Sequence, residues 1–228
     1  MYWSTAIRAA GATILYAIVH SLLASLPVKE RVRSLVGPRV SDGLYRFGFN
    51  GFAVLSLAGM MRAIWKLPDQ RLYRLRGVPA WLMHAGQVAV AIALFRTNQQ
   101  NGLGHVTGIR HAWSFVQREP IGPPPVVQHP LPDGEALEGW TGTFRLSSHP
   151  NNYLVLFLYW LSPVMTIKWA AIGVVTAVYM VIGSLHEDRR LLAAYGERYR
   201  RYRARVPHLA FHSPSHWRAA LGGDDRDD

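Results

Sequence analysis

A chain of 228 residues with a formal charge of +11 and no cysteine cannot use a disulfide, a thiolate nucleophile or a cysteine-ligated metal. Half of its residues are hydrophobic, yet mean hydropathy is only +0.04, so the average conceals how the apolar residues are distributed. A basic surplus suits nucleic acid, but beside long apolar runs it points to anionic lipid head groups, and no nucleic-acid partner is expected.

Five stretches hold no Asp, Glu, Lys or Arg: Ala9–Val28, Phe47–Met61, Gly77–Phe95, Leu146–Ile167 and Trp169–His186. Their lengths are 20, 15, 19, 22 and 18 residues. A membrane-spanning helix takes about 20 residues, within roughly 17–25, so four qualify directly. The 15-residue run qualifies if Arg46 and Arg62 snorkel from its ends. Ala9–Val28 is longer than a signal peptide's apolar core of roughly 7–15 residues and contains His20, so it reads as a retained first span.

Residues 1–97 therefore carry three spans joined by short basic turns. Residues 98–145 form a long polar connection, loosened by Gly102, Gly104 and Gly108. Pro120, Pro123, Pro124, Pro125, Pro130 and Pro132 extend its backbone. We read it as a cytoplasmic lid or shelf over the mouth of a terminal hairpin. That hairpin turns at Ser162–Thr166, where Pro163 disrupts helix and Lys168 marks the far membrane surface. Its return brings His149 and Glu187 to the same face. Beyond Glu187, Leu191, Leu192, Tyr195, Tyr199 and Tyr202 recur at helical spacing among arginines. This predicts an interfacial helix with its tyrosines at head-group level. The Gly- and Asp-rich tail, 222–228, is expected to be disordered.

The expected architecture is an all-α integral membrane protein. It has about five transmembrane helices, the last two a C-terminal helical hairpin followed by an interfacial basic helix. Residues 1–221 form a single membrane domain, with 146–210 as its hairpin and basic helix. The arginines after Glu187 put the C-terminal helix in the cytoplasm and the N-terminus outside. Arg71, Arg74 and Arg76 then fall outside, against that rule.

An imidazole and an acidic pair at the two mouths of one hairpin make a polar pocket at a bilayer surface. Each part also has a plain structural use. His149-Pro150 suits a helix start, and Glu187 can pair with arginines one turn away. His20 and His84 lie inside spans, where an ionisable residue is a functional candidate. His105, His111 and His129 are irregularly spaced with no nearby acid, so no metal site is expected.

The run Phe144-Arg145-Leu146-Ser147-Ser148-His149-Pro150, the turn Ser162-Pro163-Val164-Met165-Thr166, and Glu187-Asp188-Arg189-Arg190-Leu191 with Tyr195-Gly196, Tyr199, Tyr202 and Val206-Pro207 carry a resemblance. They resemble the C-terminal half of the isoprenylcysteine carboxyl methyltransferase superfamily of membrane methyltransferases, and within it the methanethiol S-methyltransferase type. Gly108-Ile109-Arg110 with Trp113 matches an upstream element of that type. His20-Ser21-Leu22-Leu23-Ala24 and Leu44-Tyr45-Arg46 are similar to NnrU-like membrane proteins.

The resemblance implies S-adenosylmethionine as cofactor, bound by Arg145, His149, Pro150, Glu187, Asp188, Tyr199 and Tyr202. It implies a small or lipophilic methyl acceptor, whether a thiol, a carboxylate or a lipid amine, reached beside membrane lipids. A thiol would need a base, for which His149 and His111 are the candidates. The setting implied is the bacterial inner membrane. Two positions depart from the pattern: Ser148 replaces an arginine, and Asn152 replaces a tyrosine that reappears as Tyr153. Arg145 and Arg110 are the candidates to restore the lost cation. The other reading, from the NnrU-like resemblance, is a haem-binding or accessory protein with His20 and His84 as axial ligands.

Overall fold

The computed structural model describes residues 2–121 and 142–206. The prolines from Pro123 to Pro132, His129, Pro207 and the tail at 222–228 lie outside the described residues.

In chain order the elements are α1 (Tyr2–Ala24), α2 (Leu26–Val36), α3 (Pro38–Trp65), β1 (Arg71–Arg74), α4 (Val78–Gln100), α5 (Leu103–Thr107) and α6 (Ile109–Val116). A 3-10 turn (Gly142–Arg145) leads into α7 (Pro150–Trp160), β2 (Val164–Thr166), α8 (Ile167–Tyr195) and α9 (Glu197–Arg205). Proline occupies the first turn of α2, α3, α4 and α7, where its missing N–H costs nothing and its fixed φ favours helix.

The chain is an all-α membrane protein. Four helices, α1, α3, α4 and α8, are long and apolar enough to cross a bilayer. Their large apolar side chains face outward: Leu55 is 74 % exposed, Trp65 76 % and Trp81 75 %. Such a surface would be costly in water and is at home in lipid.

The fifth expected span, Leu146–Ile167, is not one long helix. It holds the 11-residue α7, which rises only about 16 Å. Pro163 offers no N–H to extend the helix and biases Ser162 away from helical backbone. Beyond Trp160 the chain turns at residues 161–163 and is extended at β2. There β2 pairs antiparallel with β1, matching Arg71 with Thr166, Tyr73 with Met165 and Arg74 with Val164. α8 then returns, and roughly 30 Å of helical rise separates Ile167 from Glu187.

These connections give the molecule two ends. The strand end holds β1, β2 and the start of α8. Near it, Ala9 of α1 packs with Ile64 of α3 and Ile172 of α8. The other end, called the site end here, holds α2, α5, α6, α9 and the segment running into α7. α7 fits closely against α8 because position 173 is glycine: a Cβ there would lie 2.6 Å from the Tyr159 ring.

The polar connection does not begin as irregular chain. Among its described residues, α5 and α6 dock on α3, where Arg46 donates to the His105 carbonyl at 3.1 Å. Asn50 donates to the carbonyls of Val106 and Thr107, each at 2.9 Å. Gly108 permits this twice over. Its φ is +78°, and a Cβ there would sit 2.6 Å from the Phe47 backbone nitrogen.

Candidate functional site

The hairpin returns α8 to the start of α7 and so sets His149 against two acids. His149 precedes α7 and is 3 % exposed. Its Nδ1 lies 3.1 Å from Glu187 Oε2 and its Nε2 lies 2.6 Å from Asp188 Oδ1. Ionised carboxylates only accept hydrogen bonds, so a ring bonded to one on each side carries both protons. Burial alone would lower the imidazole's affinity for its proton. The hydrogen bonds to Asp188 and Glu187, with their charges, outweigh it and raise the pKa above 6.5.

α9 closes the cluster. α8 ends at Tyr195, and Gly196, at φ +53°, turns the chain back. In a straight helix residues 188 and 199 would lie about 16 Å apart. Here the Tyr199 hydroxyl donates to Asp188 Oδ1. The Tyr202 hydroxyl donates to the Phe144 carbonyl at 2.9 Å. Tyr199 and Tyr202 are 2 % and 4 % exposed and pack with Leu191 and Val206. The expectation of tyrosines at head-group level is therefore corrected for these two: they face the protein's own core. Burial, then the neighbouring Asp188, raises the Tyr199 pKa, so it stays a donor.

Arg203 extends from the same helix into the cluster. Its Nε lies 3.5 Å from Asp188 Oδ2, and its Nη1 donates to Ser148 Oγ at 3.3 Å and to the Val206 carbonyl at 2.9 Å. The cation beside Ser148 is thus Arg203, which the sequence reading did not select. Its only signal was the four-residue spacing from Tyr199 on one helix face. Asn152, the other departure, donates to Ser184 Oγ at 2.8 Å and ties α7 to α8. Ser147 Oγ accepts from the His149 backbone N–H at 3.1 Å.

A cavity of about 60 Å³ opens beside the cluster, lined in part by Asn101, Ser148, His149, Pro150, Asn152 and Glu187. Glu187 Oε2 is engaged by His149, while its Oε1 makes no hydrogen bond among the described residues. The buried amide oxygen of Asn101 also has no partner among them.

Of the predicted site residues, His149, Pro150, Glu187, Asp188, Tyr199 and Tyr202 come together here. Arg145 ends the 3-10 turn next to Phe144, and its buried Nε has no partner among the described residues. His111 does not join them. It is buried on α6, its ring 5.2 Å from that of His105. Burial, then His105, Arg46 and Arg110, lowers its pKa and keeps it neutral. His20 and His84 do not share a pocket. His20 packs on Phe49 late in α1, whereas His84 bonds Gln87 early in α4, near the strand end. Among the described residues no three His, Asp or Glu side chains group to hold a metal.

A methanethiol S-methyltransferase 1 from Bradyrhizobium diazoefficiens is 27% identical over 204 residues, covering 86% of this chain and 63% of that protein. A methanethiol S-methyltransferase from Crocosphaera subtropica is 33% identical over 66 residues, 29% of this chain and 26% of its own length. One from Pseudomonas deceptionensis is 29% identical over 63 residues, 28% and 24% of the two chains. The aligned chain thus spans less than two thirds of each of these relatives. No family model and no solved structure matches it. The chain is an integral membrane protein similar, at low identity over most of its length, to proteins named as methyltransferases of a small thiol.

Proposed function

We propose that the chain is a membrane methyltransferase that takes S-adenosylmethionine at the His149–Glu187–Asp188 cluster and methylates a small thiol. The observation that carries this is the buried imidazole clamped between two carboxylates, beside a cavity. The donor set fits the cofactor's charges: Glu187, backed by Asp188, for its cationic groups, and a cation for its carboxylate. The cavity itself, about 60 Å³, holds on the order of four waters, so it admits the amino-acid end and α9 or side chains must yield to the rest.

When bound, the cofactor supplies an electrophilic methyl group on a sulfonium sulfur. The chain's residues bind, orient and handle the proton. Glu187 faces the cavity with one open oxygen, suited to a cationic group. Asp188 is held by His149, Tyr199 and Arg203, and so fixes the wall rather than the ligand. His149 has both protons committed to carboxylates and acts as a positioning residue. A thiol must lose its proton to become the nucleophile. Of the two expected bases, His149 has both ring nitrogens on carboxylates and His111 lies on α6 outside the cluster, so no histidine of the cluster serves as the base. Alignment of donor and acceptor supplies the main rate gain, about 7–11 kcal/mol in favourable cases. The excess of arginines after Glu187 favours placing the site end in the cytoplasm.

The test is purified protein in detergent with S-adenosylmethionine and methanethiol, reading dimethyl sulfide in the headspace and cofactor binding by calorimetry. Wild type forms dimethyl sulfide, and Glu187→Gln binds the cofactor about 30- to 100-fold more weakly, as expected for a lost charge-assisted contact. Folded wild-type protein that binds no cofactor ends this reading. Binding without dimethyl sulfide overturns only the thiol.

A further inference from the structure

We infer that Arg203 is the anchor for the carboxylate of the methyl donor, presented to the cavity from α9 across Ser148. This rests on the methyltransferase reading above and names the contact that selects an amino-acid tail.

A ligand that is cationic at sulfur and nitrogen and anionic at one end needs one cation beside an acidic pair. His149 cannot serve, because both ring N–H groups are spent on Glu187 and Asp188. Arg110 of α6 is committed elsewhere, its Nη1 3.3 Å from His105 Nε2 of α5. Arg203 already touches the cavity wall. Its Nη1 reaches Ser148 Oγ, and Ser148 lines the cavity and is fully buried. Its Nε faces Asp188, and Nη2 makes no hydrogen bond among the described residues. A guanidinium held through Nε and Nη1, with Nη2 to spare, is prepared to donate to a carboxylate. Its side chain is 26 % exposed, so the charge is partly withdrawn from water but reachable. The small side chain at 148 leaves room for it: a longer one would displace the guanidinium that now rests on the serine hydroxyl.

α9 would then do two things with one residue. Arg203 ties the helix to Asp188, and it reads the ligand. Discrimination against a ligand lacking the carboxylate follows, because only that ligand leaves Nη2 unmet.

The experiment compares S-adenosylhomocysteine with its decarboxylated analogue, which keeps the amine, by calorimetry on the full chain in detergent. Wild type should prefer S-adenosylhomocysteine by about 10- to 100-fold, the scale of a charge-assisted hydrogen bond. Arg203→Met should weaken S-adenosylhomocysteine to near the level of the analogue and weaken the analogue by a much smaller factor, so that the ratio collapses. Arg203→Lys, which keeps the charge without the planar guanidinium, should restore part of the preference and covers the case in which the methionine variant unfolds. Equal weakening of both ligands, or an unchanged ratio in a folded variant, overturns the assignment while leaving the cofactor reading intact. Collapse of the ratio in Arg145→Met or Arg110→Met instead of Arg203→Met also overturns it. Wild type that binds neither ligand overturns both the assignment and the reading beneath it.

Discussion

The terminal hairpin is tied down at both ends by an acid and a cation, in two different ways. At the strand end, Lys168 lies 3.6 Å from Asp69, with side chains 13 % and 26 % exposed. Its Nζ also donates to the carbonyls of Trp65 at 3.3 Å and Leu67 at 3.0 Å, around the C-terminus of α3. Asp69 accepts from the backbone N–H groups of Gln70 and Lys168. Those side chains complete the backbone, as helix-end cations and turn-forming acids commonly do. At the site end, His149, Glu187, Asp188, Tyr199 and Arg203 bond mainly to one another. Burying charge on side-chain partners is a poor way to gain stability, since desolvation offsets most of the attraction. The strand end is explained by architecture alone. The site end is not, which is why function is sought there.

Deleting one acid at each end separates the two kinds of pair. Asp188→Ala leaves His149 Nε2, Tyr199 and Arg203 without their shared partner, and should cost about 3 kcal/mol, the lower range for breaking a buried ion pair. Asp69→Ala should cost about 1 kcal/mol or less, because Lys168 keeps its two carbonyls. Thermal unfolding in detergent measures both. Equal losses would mean that the site end is no more than a second structural clasp.

The turn that builds the site end offers the next contrast. Gly196 sits at φ +53° and ψ −125°, a region closed to residues with a Cβ. Gly196→Ala should therefore cost about 1–3 kcal/mol and weaken cofactor binding, by swinging α9 away from Asp188. Gly183, in the same helix run, has ordinary helical backbone and nothing within 4 Å of a new Cβ. Gly183→Ala should be neutral or stabilising by up to about 1 kcal/mol. A harmless Gly196→Ala would show that α9 is positioned by something other than this turn.

How much of this was legible differs along the hairpin. The return of the chain, and with it the meeting of His149 and Glu187, followed from charge-free windows and a proline-marked turn. Those windows record polarity rather than helix length, so they could not show that within Leu146–Ile167 the helix covers Pro150–Trp160 and a strand covers Val164–Thr166. Pairing of Val164–Thr166 with Arg71–Arg74 depends on two segments 90 or more residues apart, which no local pattern encodes. By spacing, Tyr199 and Tyr202 read as interfacial, at head-group level, because an amphipathic stripe looks the same whether it meets a membrane surface or the protein's own core. Arg203 was hidden among arginines of equal charge. Only the reversal at Gly196 singles it out.

Acidity tests the site end without a deletion there. His149 faces Glu187 and Asp188, with Tyr199 and Arg203 around the second acid. Its pKa is raised in the folded protein above 6.5, its ordinary value. The stabilisation is therefore fully present below about pH 6.5 and is lost as pH rises through the raised native value. The stability gap between wild type and His149→Gln should narrow over that rise. A constant gap for His149→Gln would mean that the imidazole is neutral and that one acid carries its proton.

The smallest effect asked of the comparison concerns two tyrosine hydroxyls, one at each end, both donating to a backbone carbonyl. Tyr202 bonds the Phe144 carbonyl at 2.9 Å from a side chain 4 % exposed. Tyr73 bonds the Ser162 carbonyl at 3.1 Å from one 36 % exposed. Removing either hydroxyl takes one donor from a carbonyl. Water reaches Ser162 readily, so Tyr73→Phe should change stability by less than about 0.5 kcal/mol. Phe144 is itself buried, so its carbonyl has less access to water, and Tyr202→Phe should cost about 1–2 kcal/mol. The same loss should loosen α9 against the 3-10 turn and weaken cofactor binding severalfold, whereas Tyr73→Phe leaves binding unchanged. Equal behaviour of the two variants would remove the distinction in burial on which the contrast between the ends depends.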